Sequence, residues 1–227
     1  MVFFDQINKI DTHCLLEING SHTDFFDTFF ALVTSTATWV PLYLAIMVVI
    51  FAKYRRTGFW VALALILTIV LSDQISVLIK NLVHRLRPSH AIALKGLLNL
   101  PVGEGGQYGF VSSHATNSFA LAVVVASLAK SRLLWVTMLI WAALNGFSRI
   151  YVGVHYPLDV LCGAILGILI GWGIYRLILI FDNRFLRKKM AYAGRWKEKH
   201  KTPVVITFLM ITLTLIITAM LVGKYNL

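Results

Sequence analysis

The sequence predicts an all-α membrane protein, built as a polytopic bundle of transmembrane helices. Of its 227 residues, 58% are apolar and only 14% are Asp, Glu, Lys or Arg, whereas a soluble domain has about 25% charged residues. The mean hydropathy is +0.76. A water-soluble monomer of this size could not cover its surface with so few charges, which excludes soluble enzymes, disordered proteins and disulfide scaffolds.

The apolar segments predict six membrane crossings. A transmembrane helix needs about 20 mostly apolar residues, with a lower limit near 17. Segments that meet or approach this length lie at residues 36–52, 59–79, 112–129, 133–148, 158–181 and 203–223. Before the first of them, residues 24–34 are amphipathic. They predict a helix that lies in the membrane interface or extends the first span.

The net charge of +11 comes largely from three basic linkers. Residues 53–56, 130–132 and 184–201 hold 13 of the 21 Lys and Arg residues, and five of the ten acidic residues precede residue 28. By the positive-inside rule, these linkers face the cytoplasm and both chain ends face outward. We attribute the linker at 184–201 to topology and contact with anionic lipid, and not to nucleic acid binding.

Seven of the other 15 Lys, Arg and His residues fall in two loops at the outer end, at residues 83–112 and 149–157. Because positive charge is disfavoured on that side, its concentration there indicates a functional site, and an anionic ligand is the simplest explanation. Residues 91–100 are mostly apolar and are followed by glycines. They predict a short interfacial helix with a flexible joint, although a plain surface loop is equally consistent with the pattern.

Three segments at this end supply groups suited to phosphoryl transfer. They are KNLVHRLRP from residue 80, GFVSSH from residue 109 and SRIYVGVHYPLD from residue 148. Phosphoryl transfer depends mainly on positioning and on stabilising negative charge, and arginine forks and lysine charges provide both. The candidate residues are three cations, two hydroxyls, two imidazoles and one carboxylate: Lys80, Arg87, Arg149, Ser112, Ser113, His114, His155 and Asp159.

Local sequence positions predict how two parts of this set act. Ser112 and Ser113 precede an apolar run, so we expect them at a helix N-terminus, where hydroxyls and free backbone amides bind anions. Asp159 follows His155 by four residues, with Pro157 between them, so it should lie in the first turn of a helix and reach the imidazole. A carboxylate on one ring nitrogen would leave the other free to attack phosphorus. Each residue taken alone could have a structural role, as a helix cap, a partner of the helix dipole or a basic side chain that reaches from a helix end to the interface. These roles do not explain why all the residues fall at one end of the bundle.

The three segments resemble the signature of the type 2 phosphatidic acid phosphatase superfamily. This family comprises membrane lipid phosphatases that share a fold with soluble bacterial acid phosphatases and vanadium haloperoxidases. Its pattern is K-x6-R-P, then P-S-G-H, then S-R-x5-H-x3-D, and the match covers roughly residues 72–165. The first and third motifs match in full. In the second, Val111 and Ser113 replace the family's Pro and Gly. The resemblance therefore defines the geometry of this part of the phosphate-binding site least well.

The resemblance implies roles for all the candidate residues. His155 would be the nucleophile that forms a phosphohistidine, Asp159 would orient it, and His114 would protonate the leaving oxygen and then activate water. The residues expected to hold the phosphoryl group are Lys80, Arg87, Ser112, Ser113 and Arg149. No cofactor and no metal are implied, and one Asp beside two His is a poor site for a hard cation.

We therefore expect one membrane-embedded phosphatase domain over residues 1–227. Its catalytic core is expected at about 59–181, after an interfacial segment at 1–34, and 203–223 is an additional transmembrane helix. The expected substrate is a lipid phosphate from the bilayer. Undecaprenyl pyrophosphate or a lipid A phosphate is favoured, while phosphatidic acid and phosphatidylglycerol phosphate are also compatible. The alternatives are an inactive phosphatase-like lipid-binding protein and a small transporter.

The predicted setting is the inner membrane of a bacterium, with the site on the outer face. We expect no nucleic acid partner and no obligate protein partner.

Overall fold

The computed structural model describes residues 2–186 and 194–225, and these two ranges form helices without any strand. This confirms the all-α fold. The α-helices in these ranges are α1 (Val2–Gly20), α2 (Asp24–Thr34), α3 (Val40–Tyr54), α4 (Gly58–Val83), α5 (Ser113–Ala129), α6 (Arg132–Tyr151), α7 (Pro157–Arg184) and α8 (Glu198–Tyr225).

Each of the six predicted spans corresponds to one helix, from α3 to α8. Short 3-10 turns precede α3 and join it to α4. Within the described residues, four helical stretches are long and apolar enough to cross a membrane: Thr36–Val83, Arg132–Tyr151, Pro157–Arg184 and Glu198–Gly223. Helix α5 is also apolar but shorter, at 17 residues. The chain is a multi-pass membrane protein, and the count of six crossings stays a prediction.

Residues 2–34 contain two helices, of which only α2 was expected. Ser35 is extended, so α2 ends at Thr34 and does not run straight into α3. Phe29, Phe30 and Val33 are buried on α2, which packs against α6 and α8. Helix α1 packs against α6 and α7. Both N-terminal helices are therefore part of the packed bundle.

Glycines on α7 allow this helix to lie close to α5. Gly163 and Gly171 face α5, and a Cβ atom on them would lie 2.7 Å from the carbonyl oxygen of Ser112 and 2.5 Å from that of Ala120. Gly167 lies midway between them and also faces α5. Small residues four apart let two helix backbones approach in this way. The backbone N–H of Ser112 donates to the carbonyl of Asp159 at 2.9 Å. The first turns of α5 and α7 are thus held together.

The three basic linkers meet at one end of the bundle, as expected. The backbone N–H of Trp196 donates to Ala129 at 3.1 Å, and its indole N–H donates to the hydroxyl of Tyr54 at 3.2 Å. Lys53 Nζ donates to the carbonyl of Arg195 at 3.3 Å. Residues 187–193 of the third linker lie outside the described residues. The loops after α4 and α6 lie at the opposite end, which we call the site end.

The expectation of a short interfacial helix over residues 91–100 was wrong. The structure has only a 3-10 turn at Ile92–Leu94, followed by turns. Gly96 adopts a φ of +79°, which a right-handed helix does not accommodate. Beyond it, the backbone N–H of Asn99 donates to the side chain of Asn19 at 2.9 Å. Contacts with α1, and not helical bonds of its own, hold the end of this segment.

Candidate active site

The eight residues singled out from the sequence lie together at the site end. Arg87 follows α4 in the loop, His155 directly precedes α7, and the others lie in terminal turns of helices. The charges of Arg87, Arg149 and Lys80 all act on His155, and those of Arg149 and Arg87 also act on His114. Three cations therefore surround two imidazoles, which is an arrangement that attracts and binds anions.

His155 and Asp159 form a buried pair. Nδ1 of His155 lies 3.3 Å from Oδ2 of Asp159, and the histidine is only 1% exposed. The backbone N–H of Tyr156 donates to the same Oδ2 at 3.1 Å, as part of a capping box at the start of α7. The cap fixes the carboxylate in the first turn, where the sequence predicted it.

Electrostatics keep the His155 ring neutral. Burial, followed by the charges of Arg87, Arg149 and Lys80, lowers the pKa of His155 well below its usual range. A neutral imidazole has a free lone pair, which a nucleophile requires. Because Nδ1 faces Asp159, Nε2 is the ring nitrogen that the carboxylate leaves free.

Arg85 is a site residue that sequence reasoning missed. Its NH1 donates to Oδ1 of Asp159 at 2.7 Å, and its NH2 donates to Oδ2 of Asp11 at 2.7 Å. Burial opposes its charge, but Asp159 and Asp11 outweigh this effect and raise the pKa of Arg85. Arg85 occupies a variable position in the K-x6-R-P motif, and the resemblance therefore assigned it no role.

One signal in the sequence could have identified Arg85. Leu86 forms an isolated antiparallel bridge with Tyr108, so the chain is extended there and Arg85 and Arg87 lie on the same side of it. An Arg-Leu-Arg alternation after a helix end is consistent with such a segment. Gln107 accepts a backbone hydrogen bond from Arg87 at 3.0 Å, and the carbonyl of Tyr108 accepts from Nε of Arg87 at 3.3 Å.

Gly109 continues this extended segment and lies against the buried pair. Its backbone N–H donates to the carbonyl of Arg85 at 2.8 Å. A Cβ atom at Gly109 would lie 2.8 Å from Oδ2 of Asp159 and 3.5 Å from Nδ1 of His155. Only glycine leaves the pair undisturbed at this position.

Ser112 and Ser113 begin α5, as predicted, but their hydroxyls face different partners. The Ser112 hydroxyl accepts from the backbone N–H of Ala115 at 3.5 Å as the N-cap. The Ser113 hydroxyl receives hydrogen bonds from Lys80 Nζ at 2.7 Å and from the hydroxyl of Ser76 at 2.7 Å. Lys80 also donates to the carbonyl of Val111. The side chain that replaces the family's glycine therefore points toward α4, away from the backbone amides that begin α5.

Thr34, the last residue of α2, is a second position that sequence reasoning missed. Its hydroxyl accepts a hydrogen bond from NH1 of Arg149, and its backbone lies against the ring of His114. Nε of Arg149 is buried without a protein partner in the described part of the chain. Since Thr34 lies outside all three motifs, only the packing of α2 on α6 brings it here.

An apolar cavity of about 340 Å³ lies beside His114. It runs between α3, α4, α5 and α6, and its walls include Tyr43, Met47, Leu65, Ile69, Leu121 and Trp141. Ile66 also lines it and is exposed on the surface of the bundle. The cavity thus lies between His114 and a side chain that is exposed on the surface of the bundle.

No group of three His, Cys, Asp or Glu side chains that could hold a metal occurs in residues 2–186 or 194–225. Metal independence stays a prediction.

Residues 57–183 match the model of the PAP2 superfamily, the type 2 phosphatidic acid phosphatases. This range includes all eight candidate residues. The chain belongs to the PAP2 superfamily.

A curated relative supports this membership over nearly the full length of the chain. The lipid A 4'-phosphatase of Bacteroides thetaiotaomicron is 34% identical over 215 residues, which cover 93% of this chain and 95% of the relative. The chain is thus a PAP2 membrane lipid phosphatase, a hydrolase of phosphoric ester bonds. This overturns the alternative of a small transporter.

Two solved structures share the PAP2 fold. A transmembrane PAP2 type phosphatidylglycerolphosphate phosphatase from Bacillus subtilis has a TM-score of 0.61 at 22% identity, over 79% of this chain and 88% of the other. Aquifex aeolicus LpxE has a TM-score of 0.56 at 28% identity, over 73% of this chain and 94% of the other. At 22% identity, the similarity to the Bacillus subtilis structure establishes the fold and not the substrate.

Proposed function

We propose that this PAP2 phosphatase removes the 4'-phosphate of lipid A through a phosphohistidine intermediate. The observation that carries the proposal is the position of His114, which lies among the site cations and also lines the apolar cavity. A substrate with a phosphate at one end and hydrocarbon at the other fits such a site. The choice of lipid A rests on the similarity to the Bacteroides thetaiotaomicron enzyme over 93% of the chain.

The proposed reaction has two steps. In the first, Nε2 of His155 attacks phosphorus, the bond to the sugar oxygen breaks, and His114 gives that oxygen a proton. In the second, His114 takes a proton from water, which attacks the phosphohistidine and releases inorganic phosphate and free His155. Each step transfers one proton through His114, so the enzyme returns to its starting state.

The phosphate would be held by the cations and by the start of α5. Arg87 and Arg149 can each grip two oxygens in a planar fork, and Lys80 adds a point charge. The hydroxyl of Ser112 and the backbone amide of Ser113 lie at the positive end of the α5 dipole. These donors stabilise the charge that develops on the equatorial oxygens in the transition state.

The cavity supports an amphiphilic substrate. With its apolar walls and the exposed side chain of Ile66 in its lining, it would accept part of a hydrocarbon chain from the bilayer while the phosphate remains among the cations. We further propose that the enzyme lies in the inner membrane with the site end outward, because the basic linkers at the other end would then face the cytoplasm.

The test is phosphate release from a lipid panel by purified protein in the presence of chelator. The panel contains lipid A, its 1-phosphate and 4'-phosphate monophosphoryl forms, undecaprenyl pyrophosphate, phosphatidic acid and phosphatidylglycerol phosphate. We expect the highest kcat/KM with substrates that carry the 4'-phosphate, and a His155→Ala variant provides the background. Preference for undecaprenyl pyrophosphate would contradict the substrate, and activity only without chelator would contradict metal independence. No release from any lipid would favour an inactive lipid-binding protein.

A further inference from the structure

One carboxylate on α1 joins this helix to the active site. Asp11 is only 3% exposed. Its Oδ1 accepts from the backbone N–H of Leu158, in the first turn of α7, at 2.9 Å. Its Oδ2 accepts from NH2 of Arg85 at 2.7 Å. Asp11 therefore fixes both the start of α7 and one side of the Arg85 guanidinium.

Arg85, held in this way, in turn fixes the position of Asp159. Its NH1 donates to Oδ1 of Asp159 at 2.7 Å, and its guanidinium lies 4.2 Å from the centre of the Tyr156 ring. A guanidinium is planar and rigid, so fixing NH2 also fixes the direction of NH1. With Oδ1 held by Arg85, the other oxygen of Asp159 faces His155.

We propose that Asp11 is a positioning residue for the phosphatase reaction, acting through Arg85 and Asp159 on His155. The inference rests on the proposed role of His155 as the nucleophile. Helix α1 lies before residues 57–183, the range that the family model matches. An element outside the family core thus orients the carboxylate that orients the nucleophile.

Loss of Asp11 should affect chemistry more than binding. Without this partner, Arg85 has one carboxylate instead of two, and its NH2 keeps only a 3.5 Å bond to Oδ1 of Asn8. A half-buried guanidinium that is held so weakly on one side turns toward solvent. Asp159 then loses its cation and keeps only the capping bond from the backbone N–H of Tyr156, so the carboxylate holds the tautomer of His155 less firmly. Arg87, Arg149 and Lys80, which would bind the phosphate, do not contact Asp11 and keep their positions.

The variant Asp11→Asn tests this with little change of shape. In the variant, an amide nitrogen replaces one carboxylate oxygen and faces a hydrogen-bond donor. The backbone N–H of Leu158 and NH2 of Arg85 therefore cannot both find an acceptor. We expect kcat for phosphate release to fall about 10-fold, as is common for residues that orient reacting groups, with KM within about twofold. If this variant is not recovered folded, Asp11→Ser serves as a second variant with the same expectation.

A double-mutant cycle separates this path from an indirect effect. Arg85→Gln should lower kcat at least as much as Asp11→Asn, and the double variant should be no slower than Arg85→Gln alone, because both act along one path. Fully additive losses would overturn the proposal.

Asn19→Ala is the matched control on the same helix. It removes another attachment of α1, the hydrogen bonds from Asn19 to the carbonyls of Tyr151 at 2.7 Å and Asn99 at 2.8 Å. We expect kcat to stay within about twofold of wild type, since Arg85 keeps both partners. An equal loss of kcat in Asn19→Ala and Asp11→Asn would show that α1 acts only as a structural support, and would overturn the proposal.

The variant Asp159→Asn distinguishes failure of the proposed role of His155 from failure of the inference on Asp11. If Asp159→Asn keeps wild-type kcat, the proposed role of the His155 pair is wrong, and the inference on Asp11 falls with it. If Asp159→Asn is inactive and Asp11→Asn keeps wild-type kcat, only the inference on Asp11 is overturned.

Discussion

Oδ2 of Asp159 lies 3.3 Å from Nδ1 of His155. The ring of His114 instead lies against the backbone of Thr34. A carboxylate fixes the tautomer of one imidazole and stabilises the positive charge that it acquires on attack, while a backbone group leaves the second imidazole free to exchange a proton. This asymmetry underlies the different roles proposed for the two histidines.

The first prediction is that His155→Ala abolishes formation of a covalent phosphoenzyme and that Asp159→Asn strongly slows it. In His114→Ala, a substrate whose leaving group needs little protonation should still phosphorylate the enzyme. The intermediate should then persist, because water is no longer activated. The measurement is acid-quenched, alkali-stable radioactive label in each variant. Label that survives in His155→Ala and disappears in His114→Ala would reverse the two roles.

The second prediction concerns the acid limb of the pH profile, because His155 attacks only when it is neutral. Since the pKa of His155 is lowered, the neutral form persists below the ordinary histidine value of about 6.5. With a substrate that needs no leaving-group protonation, kcat/KM should therefore hold as pH falls through about 6.5, and decline only at lower pH.

Arg87→Gln tests the cause of this shift. It removes one of the charges that lower the pKa of His155, so its acid limb should move to higher pH. A wild-type limb at or above about 6.5 would contradict the lowered pKa in the working enzyme.

The third prediction is that Gly109→Ala lowers kcat about 100-fold, the effect of displacing reacting groups by roughly 1 Å. The added Cβ would lie 2.8 Å from Oδ2 of Asp159 and would push the carboxylate away from His155. Gly106→Ala is the control, because a Cβ there meets nothing within 4 Å. Steady-state kinetics on both variants should differ accordingly, and similar kcat values would show that the carboxylate adapts without cost.

The fourth prediction concerns the altered second motif. Ser113→Gly restores the family residue and keeps the backbone amide, and Lys80 keeps its bond to the carbonyl of Val111. We expect kcat within about threefold of wild type. Ser112→Ala should cost about 100-fold, the loss that follows removal of one donor at developing charge. A nearly inactive Ser113→Gly with a tolerated Ser112→Ala would mean that the two serines have the opposite roles.

Much of the fold was predictable because each membrane helix is encoded by its own apolar segment. The limits of α5, α6 and α7 agree with the predicted spans within a few residues, and the positions of Ser112 and Asp159 follow from local capping rules. Helix α1 was not predicted. Its buried residues are polar as well as apolar, as at Asp11 and Asn19, so hydropathy does not reveal it.

Two of the site residues that the sequence did not reveal are brought to the site by long-range packing. Thr34 and Asp11 reach the site through the packing of α2 and α1 on distant helices, with sequence separations of 115 residues from Arg149 and 74 from Arg85. Such contacts leave no local pattern. Arg85 differs, because its alternation with Leu86 and Arg87 is local and was open to detection.

The fifth prediction places the site end outside the cytoplasm. The basic linkers meet at the opposite end, where Lys53 bonds to Arg195 and Trp196 bonds to Ala129, so the positive-inside rule orients the whole bundle and not one loop at a time. Lys95 and Lys197 are exposed at the two ends. Single cysteines at these positions, in a variant that lacks Cys14 and Cys162, should therefore react differently with a membrane-impermeant thiol reagent in intact spheroplasts. We expect labelling at position 95 alone, and at both positions after the membrane is permeabilised. Labelling at position 197 alone in intact spheroplasts would place the phosphatase site in the cytoplasm and limit its substrates to lipids of the inner leaflet.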